Sequence, residues 1–296
     1  MYPEFNHSIP RRKFIGDLSK TAAGLAVLGW QPGHLSLTVQ QVMDLVLKEG
    51  NLSRIADTVD TLKTGHAAQP VTGIITTMFP TINVIQEAIK HKANFIIAHE
   101  PAFYNHKDDK GWVKDNGVLR QKLAMIDKHQ IVIWRFHDYC HALQPDAVSY
   151  GVARKAGWER YYKTGQLSLT IPAISLKQLA QHLKTSLGIS QVRVIGDLAQ
   201  SCTRIALMPG AWGGQRQVNA VETEKPDVLI VGELSEWETA EYIRDANLLG
   251  QKKGLIVLGH SVSEEPGMEY FAEWLRPKLP GIKVTHVSSN DPFTWL

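Results

Sequence analysis

The stretch Ala93-Asn-Phe-Ile-Ile-Ala-His99-Glu100-Pro101 joins a strand to a cluster of reactive side chains. Phe95 to Ala98 is a short, uninterrupted apolar run, the pattern of a strand covered on both faces, and it stops at a histidine, a glutamate and a proline. A strand covered on both faces needs helices above and below it, and the flanking sequence supplies them. Upstream, Val71 to Phe79 reads as a strand ended by Pro80, and Thr81 to Lys92 as a helix. Downstream, Gly117 to His129 reads as a helix and Gln130 to Phe136 as a third strand. Strand, helix, strand, helix, strand implies parallel pairing through crossovers. Before this unit, Thr38 is placed to cap a helix running to Glu49, with apolar residues at 39, 42, 43, 45, 46 and 47.

The alternation recurs further on. Gln166 to Ile171 alternates as a strand, Ser175 caps a helix through Leu187, and Val192 to Ile195 and Thr203 to Met208 are strands. Pro209-Gly-Ala-Trp-Gly-Gly214 follows as a tight strand–helix turn; it lacks the Lys-Ser/Thr of a phosphate-binding loop. Asp227 to Val231 and Gly254 to Leu258 read as buried strands around a helix from Glu236 to Leu248. Pro266 suits the first position of a helix to Leu275, and Ile282 to Val287 is a last strand. The expected class is α/β: two linked α/β halves with mixed, largely parallel sheets. The expected boundaries are a signal-like segment and linker over 1–37, a first half over 38–160 and a second over 161–296.

Three strands run into polar clusters: His99-Glu100-Pro101, then His137-Asp138-Tyr-Cys-His141, then His260-Ser-Val-Ser-Glu264-Glu265. Ligands of open α/β sheets sit beyond the carboxyl ends of strands. Histidine, aspartate and glutamate are the donor set for divalent first-row metals, and a carboxylate can bridge two ions. A single histidine at a strand end is ordinary; three strands delivering histidine with a carboxylate to one edge point to a metal site. His7, His34, His66, His91, His129, His182 and His286 lie outside these clusters and read as ordinary, and His106 with Lys107, Asp108 and Asp109 as a solvated loop. No G-x-S-x-G is present, so a serine hydrolase of that kind is unsupported.

The chain has 296 residues, 44% hydrophobic and 21% charged, an ordinary globular balance. Its 32 basic and 29 acidic residues leave a net charge of +3, of which +2 sits in residues 1–30, so no basic surface for nucleic acid is expected. Cys140 and Cys202 form no paired motif and read as buried small hydrophobes. No apolar stretch reaches 18 residues, so no stable membrane anchor is expected. Ile9-Pro-Arg-Arg-Lys-Phe-Ile15, followed by the mild apolar run Thr21 to Trp30, resembles a twin-arginine export signal, although Pro10 stands where Ser or Thr is usual. The expected location is therefore exported and periplasmic, with a cytoplasmic amphipathic helix as the alternative.

Several segments in order carry a resemblance: Gly73 to Thr76, Val84 to Ala88, Ala93 to Pro101, Ile205 to Gly214, Asp227 to Ser235, Gly259 to Glu264 and Asp291 to Phe293. Over about residues 38–296 they resemble the Nif-three-like dinuclear-metal proteins, also labelled GTP cyclohydrolase I type 2. The resemblance implies a toroidal homohexamer and a cleft between the two halves holding two divalent metal ions, Zn, Mn or Fe. His99 matches the first histidine of the family's His-His-Pro, and His260 and Glu264 match its Gly-His-x-x-x-Glu. Two positions depart: Glu100 replaces the second histidine, and His141 falls where the family has a bridging aspartate, with Asp138 the nearest carboxylate. The implied ligands are His99, Glu100, His260 and Glu264, completed by Asp138 or His141. The expected activity is metal-dependent hydrolysis of a small molecule, with Glu233, Glu236 or another carboxylate not bound to metal moving the proton. An exported protein meets little GTP, which speaks against the cyclohydrolase label; the expected substrate is a nucleotide, another phosphoester or a small amide. A non-catalytic metal-binding or scaffold role is the alternative.

Overall fold

The computed structural model describes residues 37–296. The export reading concerns residues 1–30 and lies outside the described residues.

The first helix, α1 (Val39–Glu49), begins at a capping box in which Thr38 and Gln41 satisfy each other's backbone N–H groups. The strands β1 (Leu62–Thr64), β2 (Ile74–Thr77), β3 (Phe95–Ala98) and β4 (Val132–Arg135) follow, with α2 (Ile82–Lys90) and α3 (Gly117–Lys128) as the crossovers between β2, β3 and β4. Two helices then lead out of this sheet, α4 (Asp138–Ala142) and α5 (Ala147–Lys155). The second sheet is built from β5 (Ser168–Ser175), β6 (Arg193–Ile195), β7 (Ser201–Met208), β8 (Val228–Val231) and β9 (Gly254–Val257). Its helices are α6 (Leu176–Leu187), α7 (Gly214–Glu224) and α8 (Glu241–Leu248), the last preceded by a π-helical turn over Glu236–Ala240. Finally α9 (His260–Leu275) leaves β9, and β10 (Val284–His286) pairs in parallel with β2.

The strand orders are β1-β4-β3-β2-β10 and β5-β7-β8-β9-β6. Within the first sheet β4, β3, β2 and β10 are parallel and β1 is an antiparallel edge; within the second β7, β8 and β9 are parallel and β5 and β6 are antiparallel edges. The α/β class with mixed, largely parallel sheets is the observed architecture.

Each sheet is covered on both faces, which is why its strands read as unbroken apolar runs. Successive side chains of a strand point to opposite faces. Ile74, Phe95 and Trp134 pack with Val42 of α1 and Phe271 of α9, whereas Ile75, Ile96 and Ile133 pack with Ile85 of α2 and Leu119 of α3. In the second sheet Ile205, Val228 and Ile256 face Leu179 of α6, and Ala206, Leu229 and Leu255 face Val221 of α7 and Ile243 of α8. Cys140 and Cys202 are free and buried in these cores.

Helix α9 differs from its expected start. It begins at His260, and Pro266 lies inside it. Gly259, at φ 102°, turns the chain sharply out of β9, and Ser263 Oγ donates to the His260 carbonyl at 2.7 Å and closes the first turn. The helix then packs against α5 at two glycines: a Cβ on Gly151 would lie 2.5 Å from the Pro266 carbonyl oxygen, and one on Gly267 2.6 Å from Val148 Cα. Its first turn belongs to the second sheet's strand end while Met268, Phe271, Ala272 and Leu275 sit in the first sheet's core. Among the described residues no helix is long and apolar enough to cross a membrane.

Candidate metal centre

The carboxyl ends of β3, β4 and β9 converge. His99 and Glu100 follow β3, His137 follows β4, His141 stands at the end of the first turn of α4, and His260 and Glu264 occupy the first turn of α9. The helical start at Gly259 is what makes His260 and Glu264 an i, i+4 pair on one face. Ligand atoms of His99, His137 and His141 lie within 4.8 Å of one another, as do those of His99, Glu100 and Glu264.

His99 is fully buried. Its Nδ1 donates to the Phe136 carbonyl at 3.2 Å, and its Nε2 has no hydrogen-bond partner among the described residues. Burial, with the His141 and His137 rings beside it, holds the imidazole well below its usual pKa, so the ring is neutral and Nε2 presents a lone pair. That nitrogen lies 3.7 Å from Glu264 Oε2. A neutral imidazole fixed through one nitrogen by a backbone carbonyl, with the other bare and facing a buried carboxylate, fits a divalent ion.

The other donors are braced from behind. His137 Nδ1 donates to Asp138 Oδ1 at 2.9 Å, and its Nε2 lies 3.7 Å from Glu100 Oε1. His141 Nδ1 lies 3.1 Å from Asp146 Oδ2, whose other oxygen caps α5. Burial works against charge on His141, but the Asp146 carboxylate outweighs it and raises the pKa. His260 Nδ1 lies 3.1 Å from Glu233 Oε2, and its Nε2 lies 3.1 Å from Glu264 Oε2 and 3.4 Å from Glu100 Oε1. Burial would lower the His260 pKa; hydrogen bonds to Glu100, Glu233 and Glu264 push it up to about 12 in the metal-free protein. Burial would raise Glu100, yet His260 and the Arg135 guanidinium keep its carboxyl below the usual range.

Some expected residues have other partners. Asp138 is not part of either donor group: Oδ1 orients His137, and Oδ2 accepts from Thr58 Oγ1 at 2.7 Å and Val59 N at 3.3 Å. Of the two alternatives at this segment, His141 is the residue whose ring joins the cluster. Glu233 is a half-exposed carboxylate on the outer nitrogen of His260. Glu236, the first residue of the π-helical turn, pairs with Arg193 at the surface and has no hydrogen bond or ion pair with any of the clustered histidines. Asp108 corrects the solvated-loop reading: it is turned inward at φ 58°, accepts from Phe103 N at 2.9 Å, and lies 3.3 Å from Lys63 and 3.5 Å from Arg135.

His137 is missing from the sequence-derived ligand set although its strand-end position is the same as that of His99. Arg135 and Asp60 were also missed. Arg135 is a charge inside a buried strand, a pattern that demands a partner, and it finds Glu100. Asp60 binds the N–H groups of His137, Asp138 and Tyr139 at 2.7, 3.1 and 2.7 Å and so caps α4 from another loop. The Pro209–Gly214 turn makes room for the site: Gly210, at φ 77°, is where Glu264 packs its carboxylate.

The cluster lies at the bottom of an open cleft of 1460 Å³. Tyr104, Trp212 and Phe293 form apolar parts of its wall; Arg216 brings positive charge, and Arg193 lines it while paired with Glu236.

A profile of the family described as Duf34/NIF3 (NGG1p interacting factor 3) matches residues 39–292. A Chlamydia pneumoniae protein named GTP cyclohydrolase 1 type 2 homolog is 22% identical over 244 residues, covering 78% of this chain and 90% of its own. A Clostridium perfringens protein of the same name is 21% identical over 270 residues, covering 87% and 97%. The crystal structure of Staphylococcus aureus protein SA1388 superposes with a TM-score of 0.71 at 21% identity, covering 88% of this chain and 99% of that one. A Bacillus cereus protein related to NIF3 gives 0.68 at 16% identity, covering 88% and 99%. At these identities the structures speak for the fold.

Proposed function

The chain belongs to the Duf34/NIF3 family, and from that membership we propose that it is a metal-dependent hydrolase, holding two divalent ions (Zn, Mn or Fe) and acting on a small phosphate- or amide-containing molecule. The observation that carries this reading is the bare, buried Nε2 of His99 at the meeting point of two donor groups. A buried acceptor left unpaired costs about 1–3 kcal/mol, and a cation is the partner that imidazole and carboxylate accept together. Bound there, two ions would polarise a carbonyl or phosphoryl oxygen and make a water acidic enough to react near neutral pH.

The chain's own residues account for the rest. Asp138, Asp146, Glu233 and Arg135 fix the orientation of His137, His141, His260 and Glu100 before any substrate arrives. Glu233 is the carboxylate placed to accept a proton in the cleft: it is half exposed and lines the cleft, whereas Glu236 does not. Arg216 suits an anionic substrate, and Trp212 and Tyr104 offer flat apolar surface beside it.

A second reading, metal binding without turnover, is favoured by the same bracing, which suits tight retention as well as catalysis. The two are separated by assaying purified protein with Mn, Fe or Zn against phosphodiester, phosphomonoester and peptide substrates. Turnover that a chelator removes and metal restores is the expected result. Retained metal with no turnover on any class would establish the second reading, and unchanged metal content in His260→Ala would overturn the centre itself.

A further inference from the structure

His99 can serve one ion only. Its Nδ1 is engaged by the Phe136 carbonyl, so Nε2 is its single free donor. The His99 and His137 rings stack at 4.7 Å between centroids, and His141 stands edge-on to both at 5.1 Å. His99 belongs to both donor groups; placed with His137 and His141, whose rings pack against it, it leaves Glu100 and Glu264, and these converge on the His260 Nε2, which lies 3.4 Å from Glu100 Oε1 and 3.1 Å from Glu264 Oε2. One half of the centre thus offers three imidazoles, the other two carboxylates and one imidazole. Imidazole suits Zn and its neighbours, whereas carboxylate oxygen suits Mn and Mg.

The second half depends on how Glu100 is held. Arg135 is buried and its guanidinium is anchored in three directions: Nε donates to the His99 carbonyl at 3.1 Å, Nη1 to the His106 carbonyl at 2.5 Å and Nη2 to Glu100 Oε2 at 2.9 Å. Asp108 and Lys63 extend the alternation of charge behind it. A guanidinium fixed at both other ends cannot follow the carboxylate if it turns. One oxygen of Glu100 is therefore committed, and the other, Oε1, lies nearer His260 (3.4 Å) than His137 (3.7 Å).

We infer that the centre is built for two different ions, a Zn-class ion on His99, His137 and His141 and a Mn-class ion on Glu100, Glu264 and His260, with Arg135 as the positioning residue that keeps Glu100 Oε1 in the second half. The inference rests on the reading that two ions bind here and is independent of what reaction they serve.

Metal-stripped protein would receive one equivalent of Zn, then excess Mn, and be freed of unbound metal before elemental analysis and Mn electron paramagnetic resonance. Zn is kept limiting because in excess it outcompetes Mn at any donor set. The expected product holds about one Zn and about one Mn per chain. Glu100→Gln preserves size and a hydrogen bond to Arg135; it should retain Zn and weaken Mn binding about tenfold or more. Arg135→Lys, which keeps charge without the fork, should shift the same half in the same direction. Thermal unfolding of the Zn-loaded variants checks that both fold, and a purely structural role for Arg135 would weaken both metals together. Wild-type protein that retains no Mn, or Glu100→Gln that retains as much Mn as wild type, would overturn the inference. Absence of hydrolysis alongside the one-to-one loading would count against the hydrolase reading alone.

Discussion

Gly210 lies so close to Glu264 that a Cβ on it would take the place of the carboxylate oxygen Oε1. The glycine turn after β7 and the first turn of α9 are thus shaped to each other, and Ser263 Oγ, accepting from Gly210 N at 2.9 Å, holds them in register. Gly210→Ala should therefore act twice. The φ of 77° costs alanine about 1–2 kcal/mol, and the methyl group pushes Glu264 out of the donor group. Metal analysis with chemical denaturation is the check: reduced metal content with a folded, modestly destabilised protein is expected, and full metal content would contradict the assignment of Glu264.

Asp60 ties α4, and with it His137 and His141, to the loop before β1. It is buried, and it is the acceptor for three backbone N–H groups at the start of that helix. Asp60→Ala strands those donors, so a loss of at least about 2 kcal/mol is expected, measured by urea unfolding of the metal-free protein. Because two histidines ride on the same turn, metal affinity should fall with stability; a variant that loses stability but binds metal as tightly as wild type would show that α4 keeps its place without this cap.

Lys122 supplies a pH signature independent of the metal donors. It is buried in α3 with Nζ donating to the Ala102 carbonyl at 2.7 Å, and burial lowers its pKa to about 8, only partly offset by Asp108. In the unfolded chain the group keeps its ordinary value of about 10.4. Between these two values the unfolded state binds more protons, so stability rises with pH across that window; below it the cost of a buried ammonium is fully present. Lys122→Gln retains a donor for Ala102 and removes the charge. It should be more stable than wild type at pH 7, by a few kcal/mol at most, with the gap closing as pH approaches 10.4. A stability difference that stays flat across this range would contradict the expectation.

Much of the site could be read locally. His99, Glu100, His260 and Glu264 sit at strand ends that apolar runs make visible, and the covered strands are legible because both their faces need hydrophobic side chains. Asp138 and His141 could not be separated in sequence, since they lie three positions apart on one helical turn and only the orientation of α4, set by Asp60, points His141 inward and Asp138 behind His137. Glu236 looked equivalent to Glu233, but three residues of chain carry it to a surface pair with Arg193. Pro266 was misleading because a proline at the seventh position of a helix is rare, and here a glycine-lined contact with α5 keeps the helix in place around it.

The sequence by itself determined the α/β class, the strands that end in histidine, and the residue types available to hold a metal, because periodicity and side-chain chemistry are local properties. Only the tertiary structure decided which donors meet. The turn at Gly259, the cap from Asp60 and the buried Arg135 set the donors' directions, Asp60 across a separation of 79 residues, and no local pattern encodes the direction in which a side chain points once those segments pack. That is why the division into an imidazole-rich and a carboxylate-rich half belongs to the fold: it depends on Glu100 being turned by an arginine on a neighbouring strand.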